Sequence, residues 1–528
     1  MLIFYLKLDL WYTSVMKKRI FRIIIFGMVI IMACSCDTKE KKAAAEAETR
    51  AKEIEAGRED SLRKLTSLQK LIAEKAVKMP GENNPAVLHK FNADPAVLVF
   101  DDTVYIYCTN DAQQAEFTFG NTDNGYDKIN TLNVFSSKDL VNWTDCGVIP
   151  VAGPSGAAKW ARNSWAPAIC TKKIDGKDKF FLYFADSANG IGVLTADSPV
   201  GPFTDPLGKA LVSRGMPNID GVYWLFDPAV LVDDDGKGYL YFGGGHQAEF
   251  IHPKSARCAA LTDDMIGLAC DPIQIDAPFL FEDSGINKIG DTYYYSYCTN
   301  WQSRDGVQAD PMLPIAVIAY MTSKNPLGPF EFAGYTLENP GTMFGAWGNN
   351  HHWIFEFRGK HYIAYHAQII EKTIGFSKGG YRNLMINEFA VNEDGSWPIQ
   401  KAKKDGVAQS GTFNPYEKVP AATMCSSRNI IVSARQTIYA LKDGAYLCIK
   451  GVDFAKSAAN VVLEVAPGHK GGSVEFRAGN FANGEVLAKV EVGEDTNATA
   501  ALTMPADKVT DLYIVLAGDV ELVSWMVK

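Results

Sequence analysis

The chain is short of basic charge, of paired cysteines and of long apolar runs. Its 52 Lys and Arg face 61 Asp and Glu, a formal net charge of -9. A nucleic-acid partner would need a basic face that displaces counterions, so that class is excluded. The ten cysteines include no C-x-x-C pair, and no H-E-x-x-H occurs. The familiar zinc spacings are therefore missing, and a zinc or serine hydrolase finds no supporting constellation. The apolar run Ile23 to Ala33 is too short for a bilayer, which takes about 20 residues per helix. Beyond residue 84 long helical periodicity is absent too.

What the N-terminus does have is a basic patch, Met16-Lys17-Lys18-Arg19, then the apolar run, then "IMACSC". This resembles a bacterial lipoprotein signal, with lipid on Cys34 or Cys36 and a true start at Met16. The expectation is an exported lipoprotein, periplasmic or held at the outer membrane or cell surface, touching a membrane by its lipid alone. Residues 1–36 form that signal region. Residues 37–84 are rich in Lys, Glu and Ala, with Leu62, Leu65 and Ile72 near one helical face. They read either as a charged helical stalk or as a disordered linker. The eight cysteines after the signal are expected to be mostly buried free thiols in strands, such as Cys108 and Cys298.

From residue 85 short aromatic and β-branched runs alternate with Gly, Asp and Asn turns. One phrase recurs five times. It is "DPAVLVFDDTVYIYC" at Asp94, "WAPAICTKKIDGKDKFFLYFAD" at Trp165 and "DPAVLVDDDGKGYLYF" at Asp227. It returns as "EDSGINKIGDTYYYSYC" at Glu282 and "HHWIFEFRGKHYIAYH" at His351. Each copy is a polar or aromatic anchor, an apolar strand, a turn and an aromatic strand. Between copies, phrases such as "VFSSKDLVNWTDCG" and "AYMTSKNPLGPFEFAG" read as outer hairpins. Repeats of this size suggest a propeller, whose closed ring hides its sheet edges. The fold class is all-β: a five-bladed propeller over 85–410, then a β-sandwich over 411–528. "VDDDGKG" (Val232 to Gly238) lacks the later ligands of a calcium loop and reads as a hairpin turn.

Inner strands of a propeller point at one axis, so their anchors share one mouth. Asp94, Asp227 and Glu282 then meet there. Three convergent carboxyls among aromatics suit acid/base chemistry on a neutral substrate. Glycoside hydrolysis needs one carboxylic acid and one carboxylate, and a third acid can hold the first one's pKa up.

The order Asp94-Pro95, Trp165-Ala166-Pro167, Asp227-Pro228 and a Glu opening the fourth copy resembles glycoside hydrolase family 43 over about residues 88 to 400. That resemblance implies an inverting enzyme acting on arabinose- or xylose-containing plant polysaccharides. It implies Asp94 as general base, Asp227 as pKa modulator and Glu282 as general acid, with Asp283 the neighbour that could be confused with it. Arg382 in "GGYRN" matches an arginine that donates to substrate hydroxyls. Trp165 could stack on a sugar or fill the core. Trp224, Trp347 and His351 are further substrate-binding candidates. The chemistry requires no cofactor, although His351 or His352 could contact a calcium at the axis. The tail is similar to a family 6 carbohydrate-binding module, but Pro420-Ala421-Ala422 stands where calcium-binding acids are usual. Only Tyr439 and Tyr446 remain there as stacking aromatics, and Trp525 is expected in the core.

The expected activity is that of an α-L-arabinofuranosidase. A β-xylosidase or endo-arabinanase would use the same trio. A non-catalytic glycan-binding lipoprotein is the alternative of another class. The loops Gln113 to Lys128 and Arg304 to Pro314 are expected to shape the pocket.

Overall fold

The computed structural model describes residues 47–50, 52–53, 67–245 and 248–528. The chain divides into two compact units, Met1–Asp60 and Ser61–Lys528. Cys34 and Cys36 lie outside the described residues. In the first unit residues 47–50 are helical, and Lys52 Nζ donates to Glu48 Oε1 one turn away at 2.8 Å. Among the described residues no helix is long and apolar enough to cross a membrane.

The second unit holds five radial antiparallel sheets. Blade 1 is β1 (Ala93–Phe100), β2 (Thr103–Thr109), β3 (Thr131–Ser137) and β4 (Trp143–Pro150). Blade 2 is β5 (Trp165–Ile174), β6 (Lys177–Ala185), β7 (Gly190–Ala196) and β8 (Val212–Ser213). Blade 3 is β9 (Ala229–Val232), β10 (Gly238–Phe242), β11 (Ala256–Ala260) and β12 (Ile273–Ile275). Blade 4 is β13 (Leu280–Ile289), β14 (Thr292–Thr299), β15 (Ile318–Ser323) and β16 (Glu331–Leu337). Blade 5 has three strands, β17 (His352–Phe357), β18 (Lys360–Ala367) and β19 (Asn383–Glu388). "VDDDGKG" is the β9–β10 turn, closed by Asp233 N–H to Lys237 O at 2.9 Å.

The strands are apolar on both faces because each blade is sandwiched between two others. Successive side chains point to opposite faces of a strand. On β10, Tyr239 and Tyr241 join the core shared with blade 4, while Leu240 and Phe242 join the core shared with blade 2. On β14, Tyr293, Tyr295 and Tyr297 face blade 3, and Tyr294 and Cys298 face blade 5. Trp353 on β17 packs against three of these cores, which puts its indole at the axis. All eight described cysteines are free thiols, Cys108 and Cys298 being buried as expected.

Ring closure runs through the segment before blade 1. Ala86 N–H donates to Leu384 O and Asn92 N–H to Arg382 O, both at 2.8 Å, so this segment lies along β19. The Asn84 amide adds bonds to Ile386 O, Asn387 Oδ1 and Lys403 O, and its Oδ1 accepts Ile386 N–H.

Helix α1 (Ser67–Lys75) revises the picture of a stalk. Its apolar face exists, but it is docked rather than free. Leu68, Ile72 and Ala76 pack with Leu88, Phe91, Ala115, Ile370, Ile374 and Tyr381. Short helices are marginal in isolation and persist through such packing.

The C-terminal region is a two-sheet sandwich, each sheet of five principal strands, with Val419–Pro420 paired at one side. Trp525 is buried in its core against Phe476, as expected. Thr423–Met424 leaves the sandwich and pairs with β4, making a fifth strand on blade 1.

Candidate active site

Four inner strands begin with the same distortion. Asp94, Ala166, Asp227 and Asp283 all have left-handed φ, at 47°, 35°, 50° and 69°. The ladder slips beside them between Ala93 and Ala96, Trp165 and Ala168, and Glu282 and Gly285. Such bulges re-aim side chains. A non-glycine residue in this region costs on the order of 1–3 kcal/mol and clusters at functional sites. The repeat is thereby corrected by one residue in blade 4. Asp283 is the counterpart of Asp94 and Asp227, and Glu282 takes the place that Trp165 holds in blade 2.

Those two neighbours do different things. Asp283 is fully buried and accepts His352 N–H and His352 Nδ1–H, the latter at 2.5 Å, with His351 Nε2 3.1 Å from its Oδ1. Its own N–H donates to Asp227 Oδ2 at 3.0 Å. Glu282, also buried, leaves Oε1 without any partner. Asp283 is saturated and structural; Glu282 is the carboxyl with a free oxygen.

Asp94 is held as an anion. Burial pushes its carboxyl up, but its neighbours, the charge of the Arg382 guanidinium foremost, outweigh it and hold the carboxyl well below the usual range. Arg382 Nη1 donates to Asp94 Oδ1 at 2.7 Å. Glu282 goes the other way. Burial first, then the charges of Asp227, Asp94 and Asp283, hold its carboxyl well above the usual range. Asp227 is raised by burial and by Asp94, but the Asp283 N–H favours its anion. Both carboxyls of this crowded pair are thus pushed upward, and of the two it is Glu282 that keeps an oxygen without a partner. A carboxyl held low and a carboxyl held high, close enough that the charge of Asp94 acts on Glu282, are the two settings that acid/base chemistry asks for.

The sequence profile of glycosyl hydrolases family 43 matches residues 83–398. The chain belongs to that family. It is 42% identical to an arabinoxylan arabinofuranohydrolase of Paenibacillus polymyxa over 467 residues, 84% of this chain and 73% of the relative. A Bacillus subtilis (strain 168) protein of the same name is 43% identical over 434 residues, 78% of this chain and 84% of the relative. The crystal structure of a glycoside hydrolase family 43 arabinoxylan arabinofuranohydrolase from Bacillus subtilis, in complex with cellotetraose, superposes with a TM-score of 0.81 at 40% identity. That match covers 87% of this chain and 99% of the solved one. This family 43 chain is a glycoside hydrolase, and hydrolysis by paired carboxyls requires no cofactor.

Arg382, expected to donate to sugar hydroxyls, is tied to two carboxylates of the protein. It is buried, and its N–H, Nε and Nη2 all donate to Asp111 while Nη1 holds Asp94. Its guanidinium lies 5.0 Å from the centre of the Tyr126 ring. Trp165 is half-buried, donates Nε1–H to Tyr126 O at 3.1 Å and meets the Tyr126 ring edge-on. Trp224 is half-buried and packs edge-on against Phe281 with ring centres 4.9 Å apart. Trp347 is exposed, on the loop that leads to His351.

His351 lies among three carboxylates. Its Nδ1 is 3.5 Å from Asp94 Oδ1 and 3.9 Å from Asp227 Oδ2, and Nε2 faces Asp283. Burial lowers its pKa against the pull of Asp283 and Asp94. Both nitrogens of His352 are engaged, Nδ1 with Asp283 and Nε2 with Ser296 Oγ at 2.8 Å. Calcium seeks about six to eight oxygens. These two imidazoles and the saturated Asp283 do not fit it as direct ligands. Among the described residues no group of three or more His, Cys, Asp or Glu could hold a metal.

Three site residues escaped sequence reasoning. Asp111 opens helix α2 (Asp111–Thr118) directly after the first copy of the repeat. His366 ends the fifth copy; its Nε2 donates to Asn349 O at 2.8 Å, so Nδ1 is free to accept Asp94 N–H at 3.1 Å. Tyr126 lies in the loop expected to shape the pocket, and burial pushes its phenol up to about 12. A G-x-S-x-G string does occur, at Gly375 to Gly379. It is a surface-loop turn whose Ser377 hydroxyl donates to Gly120 O at 3.0 Å, not a nucleophile elbow.

Proposed function

We propose that this chain is an α-L-arabinofuranosidase that removes arabinose side chains from arabinoxylan with inversion. Asp94 takes a proton from a water as that water attacks the anomeric carbon. Glu282 gives its proton to the departing oxygen, which becomes a hydroxyl of the polysaccharide. Asp227 keeps that proton on Glu282 until it is needed. The observation that carries this reading is the opposed setting of two buried carboxyls: Arg382 Nη1 donates to Asp94 and holds its pKa low, whereas burial and neighbouring aspartates hold Glu282 high and its Oε1 has no partner. Identity to two arabinoxylan arabinofuranohydrolases supports the substrate.

The test is hydrolysis of nitrophenyl α-L-arabinofuranoside and xyloside, with arabinoxylan alongside and the product anomer followed by NMR. Inversion gives β-L-arabinofuranose first and free arabinose from the polymer. First release of the α anomer, or faster turnover of the xyloside, overturns the proposal. Export as a lipoprotein belongs to the same reading and rests on "IMACSC". Mass spectrometry of the membrane-associated protein should find a lipidated N-terminal Cys34 or Cys36. An intact, unmodified N-terminal segment would overturn that part.

A further inference from the structure

Beside the base, two loops are laced together. One is residues 119–126, after α2. The other is residues 375–381, after helix α4 (Ile370–Ile374), with α3 (Gly341–Phe344) earlier in the chain. Asn124 N–H donates to Gly379 O at 2.9 Å, and Gly379 N–H to Asp123 Oδ1 at 3.1 Å. Tyr381 Oη donates to Thr122 O at 3.0 Å. Arg382 follows immediately, so whatever fixes residue 381 also fixes the root of the guanidinium that pairs with Asp94.

Glu371, on α4, is that fixture. Its side chain is buried, and no step of the proposed reaction uses it. Oε2 accepts Tyr381 N–H at 2.8 Å. Oε1 stands 3.2 Å from where a side chain on Gly379 would begin, so the loop passes closely over the carboxyl. The next peptide is held as well, with Arg382 N–H donating to Asp111 Oδ2 at 3.0 Å. Consecutive N–H groups of an extended chain point to opposite sides. Two buried carboxyls, on α4 and on α2, thus clamp residues 381 and 382 from either side.

We propose that Glu371 is a positioning residue for the general base: by holding the Tyr381 peptide it sets the placement of Arg382 against Asp94. The inference rests on the assignment of Asp94 as base. Burial and the Asp111 charge push the Glu371 carboxyl up to about 7, opposed by Lys372 and by the N–H groups of Tyr381 and Gly380. The other charged groups around it are Arg382, paired with Asp111, Asp123, bonded to Gly379, and Lys75 of α1, which reaches Ile374 O.

The experiment compares Glu371→Ala, Glu371→Asp and Glu371→Gln on nitrophenyl α-L-arabinofuranoside across pH, with Asp94→Asn as control. A small displacement of a catalytic group costs up to about 100-fold. Glu371→Ala is therefore expected to lower kcat about 10- to 100-fold with KM little changed. Its acid limb in kcat/KM should move to higher pH, because a loosened Arg382 no longer depresses Asp94. Glu371→Gln keeps an acceptor oxygen and should restore most of kcat. Glu371→Asp withdraws the oxygen by one methylene and carries the test if the Ala variant does not fold. Wild-type kcat and an unmoved acid limb in Ala or Asp variants overturn the inference, as does a lower melting temperature with no limb shift. An inactive Asp94→Asn beside normal Glu371 variants sinks this inference alone. A fully active Asp94→Asn sinks the base assignment and this inference together.

Discussion

Arg382 Nη1 and Asp94 Oδ1 meet at 2.7 Å although 288 residues separate them. The pair joins the first inner strand to the loop before the last strand of the ring. A hydrogen bond to a charged group contributes about 1.5–3 kcal/mol. Removing it should raise the Asp94 pKa by about one to two units, since one unit is about 1.4 kcal/mol. As the proposed base Asp94 works only as an anion, so activity disappears as pH falls through that pKa. Arg382→Gln is therefore expected to shift the acid limb of kcat/KM upward by that amount. An unshifted limb would show that the pair does not set the base.

Glu282 gives the opposite sign. Its carboxyl is held well above the ordinary range, and in the proposed reaction it acts in the protonated form. Activity should therefore fall as pH rises through its pKa, giving the basic limb of kcat. Glu282→Gln should lose about 10²- to 10⁴-fold on a poor leaving group, the usual contribution of proton transfer. It should lose little on a dinitrophenyl glycoside, which departs without a proton, and the basic limb should vanish. A basic limb that survives in Glu282→Gln would assign it to another group.

The sequence made five anchors legible because a closed ring repeats its inner strand, and repetition survives in spelling. The slip between Glu282 and Asp283 was not legible. It is set by a left-handed φ at residue 283, and the Pro that marks this position at 95, 167 and 228 is Ser284 in blade 4. Asp111 and His366 were missed for another reason. Each acts by meeting a residue more than 250 positions away, Arg382 for one and Asp94 for the other; Asp111 lies just outside the first copy, and His366 ends the fifth copy at a position that the repeat does not single out. Helix α1 was legible as an amphipathic face, but what covers that face, Phe91, Ile370 and Tyr381, is scattered through the chain.

Gly285 tests the floor of the site. A Cβ there would stand 2.5 Å from Ser296 Oγ and 3.1 Å from the His352 ring. Gly285→Ala must push apart the Ser296–His352 bond, which orients the imidazole against Asp283. Overpacking of this kind costs about 1–3 kcal/mol. The expected outcome is a lower urea midpoint together with reduced kcat, because Asp283 N–H also supports Asp227. A variant with normal stability and kcat would mean that this floor yields freely.

Asn84 tests closure of the ring without touching the chemistry. Its amide nitrogen donates to Ile386 O, Asn387 Oδ1 and Lys403 O, at 3.0, 3.1 and 2.8 Å, and its oxygen accepts Ile386 N–H at 2.9 Å. Asn84→Ala leaves these buried groups without their partner, at about 1–3 kcal/mol for an unsatisfied group. Asn84→Asp keeps an acceptor for Ile386 N–H but aims a carboxylate at three oxygens, so it should destabilise more than Ala does. Urea unfolding at unchanged slope should rank wild type above Ala and Ala above Asp. Turnover per folded molecule should stay near wild type in both, because Asn84 contacts none of the catalytic carboxyls. An Asp variant as stable as the wild type would show that backbone pairing of residues 86 and 92 with β19 closes the ring by itself.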